Sequence, residues 1–95
     1  MADRDTATPL YGIAVAADLA DVPEATLRLY ERRGLLTPFR SDGGTRRYSD
    51  DDIARLRRVA ELRDAGVNLT GIGRVLDLED ENGDLRRELE ERGER

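Results

Sequence analysis

Residues 41–44, Ser-Asp-Gly-Gly, interrupt a chain whose apolar residues otherwise recur at helical spacing from Ile13 to Leu78. A run of this kind reverses the backbone between two short extended pieces, which "LLTPFR" before it and "TRRYS" after it can supply. Such a pattern restricts the fold to helices carrying one small hairpin. Material for the core is limited as well. Ninety-five residues allow one small domain, which buries about 60–65% of its unfolded surface. Aromatic residues make up 4% and apolar residues 38%, so the core must rest on leucine, isoleucine, valine and alanine.

Around the hairpin the elements follow from periodicity and end signals. In "YGIAVAADLA" (11–20), Ile13, Ala16, Ala17 and Leu19/Ala20 share one helical face, small enough for another helix to approach closely. The next helix opens at Asp21 with Glu24 three residues on, the spacing of a capping box, and with Pro23 in its first turn. Leu27 and Tyr30 are expected inward, with Arg28, Glu31 and Arg32 on or near the outer face and Gly34 as a left-handed stop. An apolar helix, a short turn and a basic helix form a helix-turn-helix pattern. Small helical domains also contain such pairs as plain packing, but a hairpin directly after the pair makes a winged arrangement.

Ser49 and Asp52 are spaced to cap a third helix over 50–65, and Asp50, Asp51 and Asp52 suit its first turn, where the macrodipole favours negative charge. Strand alternation sends Arg46 and Arg47 to opposite faces, so that one faces a partner while the other packs or pairs with an acid. Tyr48 is expected to anchor the hairpin to the core. Ile53, Leu56, Val59/Ala60 and Leu62 form the inner face of the third helix. Arg55, Arg57, Arg58 and Arg63 are expected in solvent, Arg57 and Arg58 pairing with Glu61, with a phosphate contact from Arg57 or Arg58 as the alternative. Asn68 caps a fourth helix with Leu69, Ile72, Val75 and Leu76 inward. Beyond it, Leu78, Asn82, Leu85, Leu89 and Arg92 continue a 3-4 seam that Gly83 is expected to break. The fold class is therefore mostly α: a winged helix-turn-helix of four helices with a small β-hairpin wing. It carries a mobile arm at 1–10 and a short acidic helix at 81–95 that frays without a partner.

No cysteine or histidine is present. Disulfides, thiolate zinc sites, haem ligation and Ser-His or Cys-His catalysis are excluded together. Three consecutive aspartates lack the alternating spacing of a calcium loop, and "GIGRVLDLE" follows no strand and is no nucleotide fingerprint. No catalytic residue, metal ligand or cofactor is expected. No apolar run has the length of a membrane span or signal-peptide core, so a cytoplasmic protein is expected. The net charge of −5 argues at first against nucleic acid, but the charge is segregated. Residues 24–74 carry eleven arginines against eight acids, and 28–48 carry six against two, while 75–95 carry four against nine. Charges farther apart than a Debye length of about 8–10 Å are largely screened from one another, so the basic centre can still meet phosphate. All sixteen basic residues are arginine, which suits bidentate phosphate and guanine contacts, although a GC-rich genome gives the same bias.

"TLRLYERRGLLTP", "GGTRRYS", "DIARLR" and "GVNLTGIGRVL", in that order, resemble the amino-terminal DNA-binding domain of the MerR family of bacterial transcription regulators. The resemblance covers about residues 11–80 and looks most like the heat-shock repressor branch, HspR. It implies a second helix in the major groove and a wing on the flanking backbone or minor groove. Arg28 matches the family's recognition-helix arginine, Tyr30 a tyrosine near the phosphates, and Arg46 and Tyr48 the "R-x-Y" of the wing. The expected DNA-binding set is Thr26, Arg28, Leu29, Tyr30, Arg32, Arg33, Arg40, Arg46, Arg47 and Tyr48. The resemblance also implies a homodimer, here through Leu78, Leu85 and Leu89, inverted-repeat operators, and a DnaK-type chaperone as partner. Leu29 stands where many members have tyrosine, and Asp21 and Pro23 where glycine and serine are frequent. The function expected is that of a sequence-specific repressor of stress or chaperone-type genes. A protein-interaction module and an excisionase-like architectural DNA-binding protein are the alternatives.

Overall fold

The computed structural model describes residues 5–93. Its elements run α1 (Ile13–Ala20), α2 (Glu24–Arg32), β1 (Phe39–Arg40), β2 (Arg46–Arg47), α3 (Asp50–Asp64) and α4 (Leu69–Gly93). The core is one cluster. Ala16, Ala17 and Ala20 of α1, Leu27 and Tyr30 of α2, Ile53, Leu56, Val59 and Leu62 of α3, and Ile72 and Leu76 of α4 meet around Leu35, Leu36 and Tyr48. The alanine face of α1 lets α3 approach closely, as its small residues suggest. Leu19, expected on that face, is instead exposed beside Val15, because Ala20 completes the inner stripe.

The turn between α1 and α2 departs from the capping-box expectation. Asp21 ends α1 in a left-handed conformation, φ 59° and ψ 47°, its N–H directed at the carbonyls of Ala17 and Asp18. Aspartate tolerates this region better than most residues. Its side chain therefore does not cap α2, which begins after Pro23 with no side-chain cap hydrogen bond. Val22 is buried in the turn. At the other end of α2, Gly34 takes φ 76°. Its N–H donates to the carbonyl of Glu31 and that of Leu35 to the carbonyl of Tyr30, a Schellman ending that glycine adopts without Cβ strain.

The hairpin pairs Phe39 with Arg47 and Arg40 with Arg46. Its loop closes through Ser41, whose backbone bonds Thr45 and whose carbonyl accepts from Gly44. Two residues per strand cannot hold a ribbon by themselves, and the wing is tied down from outside. Residues 5–10, expected to form a mobile arm, are part of that tie. Leu10 and Tyr11 donate to the carbonyl of Tyr48, Tyr48 donates back to Tyr11, and the carbonyl of Thr6 accepts from the N–H of Asp51. Residues 1–4 of the expected arm, and 94–95 of the expected terminal helix, lie outside the described residues.

The expected cap of α3 is present: Ser49 Oγ accepts from the N–H of Asp52, and Asp52 accepts from the N–H of Ser49. All three aspartates sit in the first turn, and Asp50 accepts a 2.6 Å hydrogen bond from the Tyr11 hydroxyl. The arginines of α3 are less solvated than expected. Arg57 does not pair with Glu61; its guanidinium reaches the Leu19 carbonyl at 2.9 Å, where it satisfies an acceptor near the end of α1. Arg58 pairs with Glu61 as expected and also with Glu79 of α4 at 2.6 Å. Arg55 bonds the Leu35 carbonyl and Asp80. Asn68 caps α4 through the N–H of Gly71. The largest difference is length, because α4 runs unbroken through Gly83 to Gly93. The expected short terminal helix is a continuation of α4, about 37 Å long at 1.5 Å per residue.

Candidate nucleic-acid interface

On α2, Leu27 and Tyr30 take the inward positions, which leaves Ala25 and Arg32 at the centre of the outward face. Arg28 flanks them on one side and Leu29 on the other, both half-buried. Arg28 lies 3.7 Å from Glu24, an exposed i,i+4 pair that exchanges readily with solvent. Thr26 and Leu29 border a groove with Arg63, Val67, Asn68 and Leu69. Arg33 faces another direction, sharing a groove with Arg55, Arg74 and Asp77 on the α4 side. The structure thus brings Arg28, Leu29 and Arg32 together and sets Arg33 apart from them.

The wing meets α2 at one carboxylate. Glu31, expected on the outer face, leans inward until its side chain is only 9% exposed. Its Oε1 accepts from Arg46 Nε at 2.8 Å and lies 4.0 Å from Arg40 Nη2, while Oε2 accepts from the Tyr48 hydroxyl. Charge-assisted bonds of this kind are about twice as strong as neutral ones. They hold the Arg46 guanidinium more firmly protonated than usual. Burial first, then the hydrogen bond and charge of Glu31, push the Tyr48 phenol well above its usual range. Arg40 also donates to the Gly44 carbonyl across the loop.

Two expected contacts are corrected by this geometry, and a third, Arg46, is constrained by it. Tyr48 is fully buried, so its ring anchors the wing and does not lie on the surface. Tyr30 is buried too, its hydroxyl accepting from Arg63 at 2.9 Å, because its inward helical position overrides the phosphate role implied by resemblance. Arg46 points toward α2 and is held by Glu31, leaving Arg47 as the exposed arginine of β2. Arg47 reaches back to Gly12 at the start of α1, a helix whose first turn carries no acid and no side-chain cap. Arg32 and Arg47 have no carboxylate at ion-pair distance among the described residues. Residue periodicity missed Glu31, since its partners lie 9 to 17 positions away and only the fold brings them together. Among the described residues no cluster of acids could hold a metal ion, and no helix is long and apolar enough to cross a membrane.

The family description "MerR HTH family regulatory protein" matches residues 11–79, from the bridge at Tyr11 into α4. The chain belongs to the MerR family. Among curated relatives it is 48% identical over 79 residues to a Streptomyces coelicolor protein bearing the heat-shock name HspR, covering 82% of this chain and 52% of that one. It is 36% identical over 74 residues to the Bacillus anthracis transcriptional regulator GlnR, covering 78% and 57%. The chain thus spans about half the length of the curated relatives it matches. Among solved structures it resembles HiNmlR, a MerR regulator lacking the sensor domain and bound to promoter DNA, with TM-score 0.66, 30% identity and coverage of 86% and 65%. It also resembles the lead-bound regulator PbrR691 of Ralstonia metallidurans, with TM-score 0.73, 28% identity and coverage of 87% and 69%. Mostly helical with one antiparallel hairpin, the MerR architecture expected from sequence is the one observed.

Proposed function

We propose that this chain is the double-stranded DNA-binding part of a transcription regulator, acting as a repressor of stress or chaperone-type genes. The observation that carries this reading is the junction at Glu31, which sets the wing beside the Arg28–Arg32 face of α2. In this reading α2 enters the major groove. Arg28 makes a bidentate guanine contact, Leu29 and Thr26 touch neighbouring base edges, and Arg32 lies toward the backbone. Arg47 and Arg40 approach flanking phosphates from the wing. Such contacts supply most of the affinity and make it fall steeply with salt. Similarity to a MerR regulator bound to promoter DNA supports the docking mode, and similarity to HspR supports the stress-gene assignment.

A homodimer belongs to the same proposal. Leu78, Leu85 and Leu89 are 59%, 56% and 64% exposed along α4, an apolar line that a second α4 would cover. Two copies would then read an inverted repeat, and a DnaK-type chaperone would be the cellular partner. Selection of duplexes from a random pool, followed by footprinting of the winner, tests the reading. A symmetric inverted-repeat footprint is expected. Direct repeats would favour head-to-tail architectural assembly, and failure to retain any duplex would leave a protein-interaction module.

A further inference from the structure

We infer that Glu31 is a positioning residue that sets DNA specificity, by withholding Arg46 from phosphate and fixing the wing to α2 as one body. The inference rests on the DNA-binding reading above and assigns one of its residues an opposite sign. An acid on a recognition helix ordinarily repels a duplex. Here the carboxylate is turned inward, with each oxygen engaged: Arg46 Nε at 2.8 Å and the Tyr48 hydroxyl bind it directly, and Arg40 Nη2 stands 4.0 Å away. The ligands come from both wing strands and from the tyrosine that follows them. A wing with two residues per strand has little orientation of its own, so this junction and the Tyr11–Tyr48 bridge set where it points.

Two consequences follow for recognition. A guanidinium paired with a nearly buried carboxylate is a poorer phosphate ligand than an unpaired one, since the adjacent negative charge offsets its attraction for phosphate and the Nε bond fixes where its remaining donors point. Phosphate contacts are blind to sequence. Withdrawing one lowers affinity for every duplex, including the vast excess of unrelated sites. A wing locked to α2 also places Arg47 on the backbone only when Arg28 stands in its own register, which couples the blind contact to the reading contact. Glu31 therefore favours discrimination over raw affinity.

The test uses Glu31→Gln, close in shape to the native residue but uncharged, on a duplex selected by the native chain and on a scrambled one, across a salt series. On scrambled DNA the variant is expected to bind more tightly at low salt. Its log K should fall more steeply by about 0.9 per decade of salt, or about three- to fourfold more loss between roughly 50 and 200 mM. The selected-to-scrambled affinity ratio should shrink. Adding Arg46→Gln to Glu31→Gln should remove the extra slope, a coupling that simple destabilisation would not produce. Unchanged slope and ratio in Glu31→Gln, beside a native chain that binds DNA, overturn the inference alone. A native chain that binds no duplex ends the DNA reading and this inference with it. Should Glu31→Gln lose its helical circular dichroism, Arg46→Gln decides: a slope equal to that of the native chain supports the inference, and one shallower by about 0.9 refutes it.

Discussion

Tyr48 carries two jobs at residue scale. Its ring is fully buried in the core, its backbone pairs with Tyr11, and its hydroxyl closes the Glu31 cluster. Tyr48→Phe keeps the ring and leaves Glu31 without one donor. A loss of about 1.5–3 kcal/mol is expected in urea denaturation, as for a hydrogen bond to a charged group. Tyr48→Ala should cost more, about 3–5 kcal/mol, through the cavity it opens. The inward direction of Tyr30 and the anchoring role of Tyr48 were legible from position alone, because helical period and strand alternation fix which way a side chain leaves the backbone. That Arg46 rather than Arg47 would be the paired arginine was not legible. Alternation says only that the two differ, and the acid that decides between them lies on another element.

At the scale of elements, end signals were the most readable feature. Ser49 with Asp52, Gly34 and Asn68 act where expected, since caps depend on residues within four positions. Asp21 misled because one residue served two helices, and its left-handed backbone went to ending α1. Gly83 misled because a glycine in a helix costs only about 1 kcal/mol against alanine, too little to end a helix by itself. Gly83→Ala is expected to stabilise the chain by about 0.5–1 kcal/mol in thermal melts, as an added Cβ would meet nothing nearer than Arg87 Nη1 at 3.9 Å. The α3–α4 junction is electrostatic at its edge. A hydrogen bond from Arg58, helped by its charge, outweighs desolvation and holds Glu79 below the usual carboxylate range. Its contribution is thus complete above the unfolded value of about 4.3 and is lost as pH falls through the lower folded value. Both groups are well exposed, so the effect is small and salt-screened. Glu79→Gln should flatten the acid limb of the stability profile, measured by urea denaturation from about pH 6 to about pH 3.

For the whole molecule, the negative total conceals a division of labour. Arginines crowd α2, the wing and α3, while α4 beyond Leu76 carries eight acids against three arginines, together with the exposed Leu78, Leu85 and Leu89. Many α3 arginines hold the fold together: Arg55, Arg57 and Arg58 bind carbonyls or carboxylates of other elements. The arginines left for a partner are accordingly fewer than the sequence count, and in the proposed reading they are Arg28, Arg32, Arg40 and Arg47. Leu85→Asp together with Leu89→Asp should leave the domain folded and shift sedimentation toward the monomer, with weaker binding to an inverted repeat. An unchanged sedimentation coefficient would remove α4 from the dimer interface.

The most direct measurement compares native chain, Arg28→Ala and Arg47→Ala on the selected and scrambled duplexes over a range of salt. Arg28→Ala is expected to cut the selected-to-scrambled ratio by roughly 5- to 150-fold, the equivalent of about 1–3 kcal/mol for one bidentate base contact. Arg47→Ala should weaken binding on both duplexes, change the ratio less than Arg28→Ala does, and make the salt slope on the selected duplex shallower by about 0.9. Equal losses for the two variants on both duplexes, with no change in the ratio, would contradict the assignment of α2 to bases and the wing to phosphates.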